Sequence, residues 1–208
     1  MAETPLCDAA YDAVADRYDD WYSPEKASIA RENDRLAEIL RPLVEKRGRL
    51  LDAGCGTGLV LDLFPAIDQL DYVGVDVSGK MIEEAEIKHP GYRFAQTSME
   101  HVADLAYRNS FSKIVSTFAF YYSAKPGQTL RGFFRILKPG GMMILVVATA
   151  RRLREADYIP VDVARRAYDP AQLRGMVSDA GFLPLKCEGL MRKRMPGRDR
   201  YFALAAIK

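Results

Sequence analysis

The chain has 208 residues, 49% of them apolar, enough for one domain with a full hydrophobic core. No apolar run approaches the roughly 18 residues of a membrane helix, the N-terminus Met1-Ala2-Glu3-Thr4-Pro5 has no basic or apolar signal region, and three widely spaced cysteines (Cys7, Cys55, Cys187) indicate neither a disulfide framework nor a zinc site. A cytoplasmic protein without a membrane partner is expected. The net charge of +2 conceals an asymmetry, with 11 Lys and Arg against 20 Asp and Glu over residues 1–100, and 19 against 8 over residues 101–208. That asymmetry either steers an anionic partner to the second half or is mixed within one sheet.

In chain order, Tyr11, Val14, Tyr18 and Trp21 recur at spacings of three and four, which predicts an aromatic amphipathic helix over residues 8–22. Ser23 and Pro24 read as the cap and first position of a second helix, carried by Ile29, Leu36, Ile39 and Leu40, with Pro42 and Gly48 bracketing its exit. Leu50-Leu51-Asp52-Ala53 then reads as the end of a buried strand, and Gly54-Cys55-Gly56-Thr57-Gly58 as a turn into a helix from Leu59. Glycines at such a turn expose backbone N–H groups at the helix start and put no side chain in the way of a ligand.

Residues 71–78 form a β-branched run ending in Asp76, and Ser78 caps a helix through Met81 that stops at His89-Pro90-Gly91. Residues 92–96 and 111–120 are the third and fourth strand candidates. A helix over 128–137 ends at Lys138-Pro139-Gly140-Gly141, and Met142–Ala148 is a fifth, fully covered strand. Asp169-Pro170 opens another helix that stops at Ala180-Gly181. The last two runs, 182–187 and 201–207, have no helix between them and should pair antiparallel. Together these elements predict an α/β fold: a three-layer α/β/α, Rossmann-like doubly wound sheet of seven strands, mostly parallel, closed by a C-terminal antiparallel hairpin. The expected organisation is a single domain over 1–208, with N-terminal helices of 1–47 forming a cap on a core of 48–208.

Such a sheet suits a dinucleotide or an S-adenosyl cofactor. A dinucleotide fingerprint needs G-x-G-x-x-G, but Leu59 stands at its third glycine position and Gly58 comes one residue early. Asp76 suits a ribose diol in either case. The terminal hairpin discriminates, because the dinucleotide fold continues with parallel strands.

Four motifs in order carry a family resemblance: Leu50–Gly58, Val73–Ser78, Arg135–Gly141, and Tyr168-Asp169-Pro170 through Ala180-Gly181-Phe182. Over nearly its whole length the chain resembles the class I S-adenosylmethionine-dependent methyltransferases of the small-molecule type (methyltransferase type 11/25-like). The resemblance implies S-adenosylmethionine as cofactor, with S-adenosylhomocysteine as product. It implies that Gly54, Cys55, Gly56 and Gly58 lie against the methionine part and that Asp52 helps hold the loop and the ammonium. Asp76 would accept both ribose hydroxyls, Val77 and Met81 would pack on the adenine, and Met99 would cover its other face. Ser116 and Thr117 would border the reacting methyl, and Tyr11 and Tyr18 would fold over the cofactor. Two positions depart from the pattern: Ser98 stands where many relatives have an acid near the adenine amino group, and Ser112 stands where Asp is usual.

Methyl transfer from a sulfonium is an in-line displacement in which positioning supplies about 7–11 kcal/mol of barrier, and a general base is needed only if the nucleophile arrives protonated. Neither His89, in a helix stop, nor His101, after the adenine loop, is assigned that role, and no metal is expected. Tyr121 and Tyr122, at the carboxyl end of the fourth strand, either line the acceptor pocket or pack into the sheet. Arg151, Arg152, Arg154, Arg165 and Arg166, in the segment from Thr149 to about Tyr168, are expected to meet an acidic or phosphorylated acceptor. The expected partner is a small-molecule acceptor, anionic on this reading, rather than nucleic acid, and the protein a monomer or homodimer. Alternatives that stay open are an S-adenosylmethionine-binding or regulatory subunit without its own acceptor, an RNA or protein methyltransferase, and a nicotinamide oxidoreductase.

Overall fold

A computed structural model of the chain describes residues 7–21, 27–45, 47–65, 71–105, 108–149, 165–190 and 201–208. Its strands are β1 (Leu50–Ala53), β2 (Tyr72–Asp76), β3 (Arg93–Gln96), β4 (Phe111–Thr117), β5 (Leu137–Ala148), β6 (Leu183–Gly189) and β7 (Tyr201–Ile207). They form one seven-stranded sheet in the order β3-β2-β1-β4-β5-β7-β6. β1 to β5 are parallel, and β7 runs antiparallel to both β5 and β6. The seven-stranded sheet and its closing hairpin are therefore as the alternation of elements predicts. Strand order reverses between β1 and β4, and at such a switch point the loops leaving the two strands part and open a crevice at their carboxyl ends.

The sheet is covered by α3 (Ala27–Val44), α4 (Leu59–Leu63), α5 (Gly79–Lys88), α6 (Val102–Leu105), α7 (Pro126–Ile136) and α8 (Pro170–Asp179). Met143 to Ala148 of β5 are buried on both faces, in one core with Leu130, Phe133 and Ile136 of α7 and Leu173 and Val177 of α8. Ser78 caps α5 by accepting from Met81 N, and Asp169 caps α8 by accepting from Ala171 N. α3 continues through Pro42, where an exit was expected. Leu43 and Val44 beyond it are buried in the core, each worth about 1.5–3 kcal/mol, which offsets the roughly 3 kcal/mol cost of proline in a helix. Leu36, Ile39 and Leu40 of α3 lie in that same core. The expected start at Ser23-Pro24 falls outside the described residues.

The predicted helix over 8–22 is instead three short pieces: α1 (Cys7–Asp12), a 3₁₀ turn (Ala15–Arg17) and α2 (Tyr18–Trp21). An isolated helix this short is marginal, so contacts with the sheet decide its path. Asp12 accepts from Ser78 Oγ at 2.6 Å and Lys80 N at 3.0 Å. Tyr11 donates its hydroxyl to Tyr122 Oη at 2.6 Å, and Asp19 accepts from Thr57 Oγ1 and from Lys88 Nζ. The segment is thus fastened in turn to the start of α5, to the turn after β4 and to the glycine loop.

Candidate functional site

The glycine loop is shaped by backbone that only glycine adopts easily. Gly54 has φ +78°, and a Cβ there would lie 2.2 Å from Ala119 Cβ. Gly56 has φ +53° and donates its N–H to Asp76 Oδ2 at 2.9 Å. Ser78 N donates to the other oxygen, Oδ1, at 3.0 Å. The carboxylate at the end of β2 is therefore clamped between the loop after β1 and the start of α5. Removal from water pushes its pKa up, against the opposing pull of backbone donors from Ser78, Gly56 and Val77.

Above this loop opens a cavity of about 640 Å³, within the range of small-molecule and cofactor sites. Gly54, Gly56, Asp76, Val77 and Met81 form one end of its wall, with Ser98 and Met99 from the loop after β3. Tyr11 and Tyr18 close it from the N-terminal segment, and Thr117, Tyr121 and Tyr122 form the opposite wall. Four expected cofactor residues do not line it. Asp52 is fully buried beneath the loop, Cys55 Sγ turns toward Gly74, Gly58 backs onto His89, and Ser116 donates its hydroxyl to Ala53 O at 2.7 Å. These four shape the loop and the strand ends from behind. Arg151, Arg152 and Arg154 lie outside the described residues.

The wall also holds residues that the sequence did not single out as cofactor or pocket residues: Asp8, Thr97, Glu100, Phe118, Ala119 and Lys125. Arg165 and Arg166, two of the arginines expected to meet an anionic acceptor, are there too, as is His101. His101 Nδ1 lies 2.8 Å from Ser98 Oγ. His89 instead faces Asp62 at 3.2 Å, away from the cavity, and burial pulls its pKa down. The one local signal for the opposite wall is the end of β4. Phe118 has φ +57°, a strained conformation for an aromatic residue. It turns the chain sharply from the strand into the 3₁₀ turn Phe120–Tyr122. Burial and neighbouring tyrosines hold the Tyr11 and Tyr121 hydroxyls well above their ordinary pKa, so both stay protonated at neutral pH and serve as hydrogen-bonding groups.

Beneath the loop, Tyr72 donates its hydroxyl to Asp52 Oδ2 at 2.8 Å while Oδ1 has no partner. Burial pushes the Asp52 pKa up to about 7. Because this folded value exceeds the unfolded one, near 3.9, the folded state binds more protons and loses stability as pH rises from about 4 through about 7. Asp52→Asn keeps an acceptor for Tyr72 and removes the charge. Its stability relative to wild type should rise across that window, by at most about 4 kcal/mol. Urea unfolding at pH 5 and pH 8 checks this, and parallel pH dependence in the two proteins would refute it.

The family model for the methyltransferase domain matches residues 25–186. A dTDP-3-amino-3,4,6-trideoxy-alpha-D-glucopyranose N,N-dimethyltransferase of Streptomyces venezuelae is 28% identical over 156 residues, which are 73% of this chain and 64% of that protein. A ubiquinone/menaquinone biosynthesis C-methyltransferase of Geotalea daltonii is 28% identical over 142 residues, 65% of this chain and 60% of that protein. The chain spans about half to two thirds of the length of the curated relatives it matches. In fold, it superposes with a TM-score of 0.74 on a chain from the complex between the Haloferax volcanii Trm112 methyltransferase activator and a methyltransferase, at 20% identity over 100% of this chain and 99% of that one. Among the described residues no helix is long and apolar enough to cross a membrane. A match that takes in all five parallel strands places the chain in the family of class I S-adenosylmethionine-dependent methyltransferases.

Proposed function

We propose that the protein transfers a methyl group from S-adenosylmethionine to an O, N or C nucleophile of a small molecule held in the same cavity. The observation that carries this reading is Asp76, clamped by the Gly56 and Ser78 amides and facing the cavity. Each of its oxygens keeps a lone pair after accepting one backbone N–H, so the carboxylate suits the two hydroxyls of a ribose. The rest of that end fits the same cofactor. Gly54 and Gly56 leave bare backbone for the methionine part, and Val77, Met81 and Met99 give apolar walls for a planar base. Asp52, buried behind the loop, holds the Tyr72 hydroxyl with Oδ2 and keeps Oδ1 without a partner. When bound, S-adenosylmethionine supplies a methyl group already activated by its sulfonium.

The chain's own contribution is then to orient the acceptor and exclude water. Tyr11, fastened to Tyr122, closes the cavity over the reacting atoms, and Thr117 borders them at the end of β4. The curated relatives named above as N,N- and C-methyltransferases of small molecules support the acceptor class. Calorimetry should show binding of S-adenosylmethionine and S-adenosylhomocysteine but not of a nicotinamide dinucleotide. Methyl-labelled cofactor incubated with a fractionated extract should then label a small molecule. Label appearing only in RNA or protein would refute the acceptor class, and binding without any labelled acceptor would favour a regulatory subunit.

A further inference from the structure

The cavity wall draws its two signs of charge from the two halves of the chain. Among the described residues on its wall, the three carboxylates (Asp8, Asp76, Glu100) come from the acidic first half of the chain, and the three permanent cations (Lys125, Arg165, Arg166) come from the basic second half. The acids are engaged. Asp76 accepts from two backbone amides, Asp8 Oδ1 accepts from Ala9 N, and Glu100 Oε1 accepts from Ser123 Oγ and Ala124 N. The cations are not: Lys125, Arg165 and Arg166 have no ion pair among the described residues. Their placement is nonetheless built. Arg166 N donates to Tyr121 O at 2.8 Å, which fixes the segment before α8 to the turn after β4. Lys125 caps α7 directly after that turn. Asp76 ends β2, two strands away from β4 in the sheet, about 10 Å at the usual strand spacing. The cations thus line the side of the cavity formed by the turn after β4 and the segment before α8, with the Glu100 carboxylate, held by Ser123 and Ala124, beside Lys125.

We infer that Arg165, Arg166 and Lys125 read an anionic group, a carboxylate or a phosphate, on the acceptor, whose body lies against Tyr121 and Tyr122. The inference rests on the methyltransferase reading and narrows its substrate class. Of the arginines expected to meet an anionic acceptor, it rests on Arg165 and Arg166, which line the cavity, and adds Lys125. Guanidinium forks match both anions bidentately.

The test uses the full chain saturated with S-adenosylhomocysteine and titrated with phenyl phosphate, benzoate and the neutral isostere benzyl alcohol. At least one anion should bind tenfold or more tightly than the alcohol, and its affinity should fall as salt rises. The tighter of the two anions identifies phosphate or carboxylate. Arg165→Gln and Arg166→Gln should each weaken the preferred anion by about tenfold, and Arg166→Lys, which keeps the charge but not the fork, should fall between wild type and Arg166→Gln. S-adenosylhomocysteine affinity measured on each variant reports whether the cofactor end is intact. Equal binding of anion and alcohol, no binding of either anion, or glutamine variants that bind the anion like wild type would overturn the inference while leaving the cofactor site standing. A chain that fails to bind S-adenosylhomocysteine would remove the methyltransferase reading and this inference with it.

Discussion

Asp76→Ala is expected to weaken S-adenosylhomocysteine binding by about 10²–10⁴-fold. A buried carboxylate that accepts two ribose hydroxyls makes two charge-assisted hydrogen bonds, each worth about 1.5–3 kcal/mol. The substitution also frees the Gly56 and Ser78 amides that the carboxylate clamps, so the loop loses the group that sets its height above β2. Thermal unfolding without ligand separates that effect from a loss of fold. The pH dependence has a definite sign. The ionised form accepts the hydroxyls, and desolvation raises the pKa of Asp76. Cofactor affinity in the wild type should therefore decline on acidification starting above the ordinary carboxylate range, and Asp76→Ala should lack that decline. Normal binding by the variant would overturn the site.

Gly54→Ala should be the most damaging single-methyl change in the loop. An L-residue at φ +78° is strained by about 1–2 kcal/mol, and the added Cβ would lie 2.2 Å from Ala119 Cβ. Ala119 has no longer side chain to swing aside, so the backbone after β4 must move. That movement displaces the turn bearing Tyr121 and Tyr122. Together these effects should cost about 3–4 kcal/mol, a fall in Tm on the order of 10 °C for a chain this size, along with cofactor binding. Gly91→Ala is the matched control. Gly91 has φ +101°, but a Cβ there meets nothing within 4 Å, so only the backbone strain applies. Equal losses in the two variants would show that the approach of Ala119 carries no weight.

Much of the cofactor end was legible because its signals are local. Three alternate glycines at a strand-to-helix turn, an acid closing the next strand and a serine cap two residues on are each set by neighbouring residues. Tyr11, Tyr18, Thr117, Tyr121 and Tyr122 were placed by element, and the structure brings all five to one cavity. Less was legible wherever a residue's role depends on what lies beneath it. Asp52 and Ser116 sit at strand ends like true wall residues, yet β1 and β4 turn their side chains into the sheet. The aromatic stripe of residues 8–22 has helical spacing, yet its hydrogen bonds to Ser78, Thr57 and Tyr122 break it into three pieces.

By itself the amino-acid sequence determined the alternation of strands and helices, the antiparallel ending, the glycine loop and Asp76, because hydrophobic period, capping and glycine placement act within a few residues. The tertiary structure decided which of many arginines and which histidine reach the cavity. His101, Lys125, Arg165 and Arg166 follow β3, β4 and β5, and they reach one cavity because these strands are parallel in one sheet and end at the same edge. The charge asymmetry between the halves of the chain was visible as a count. That both halves contribute charges to the wall of a single cavity followed from that convergence.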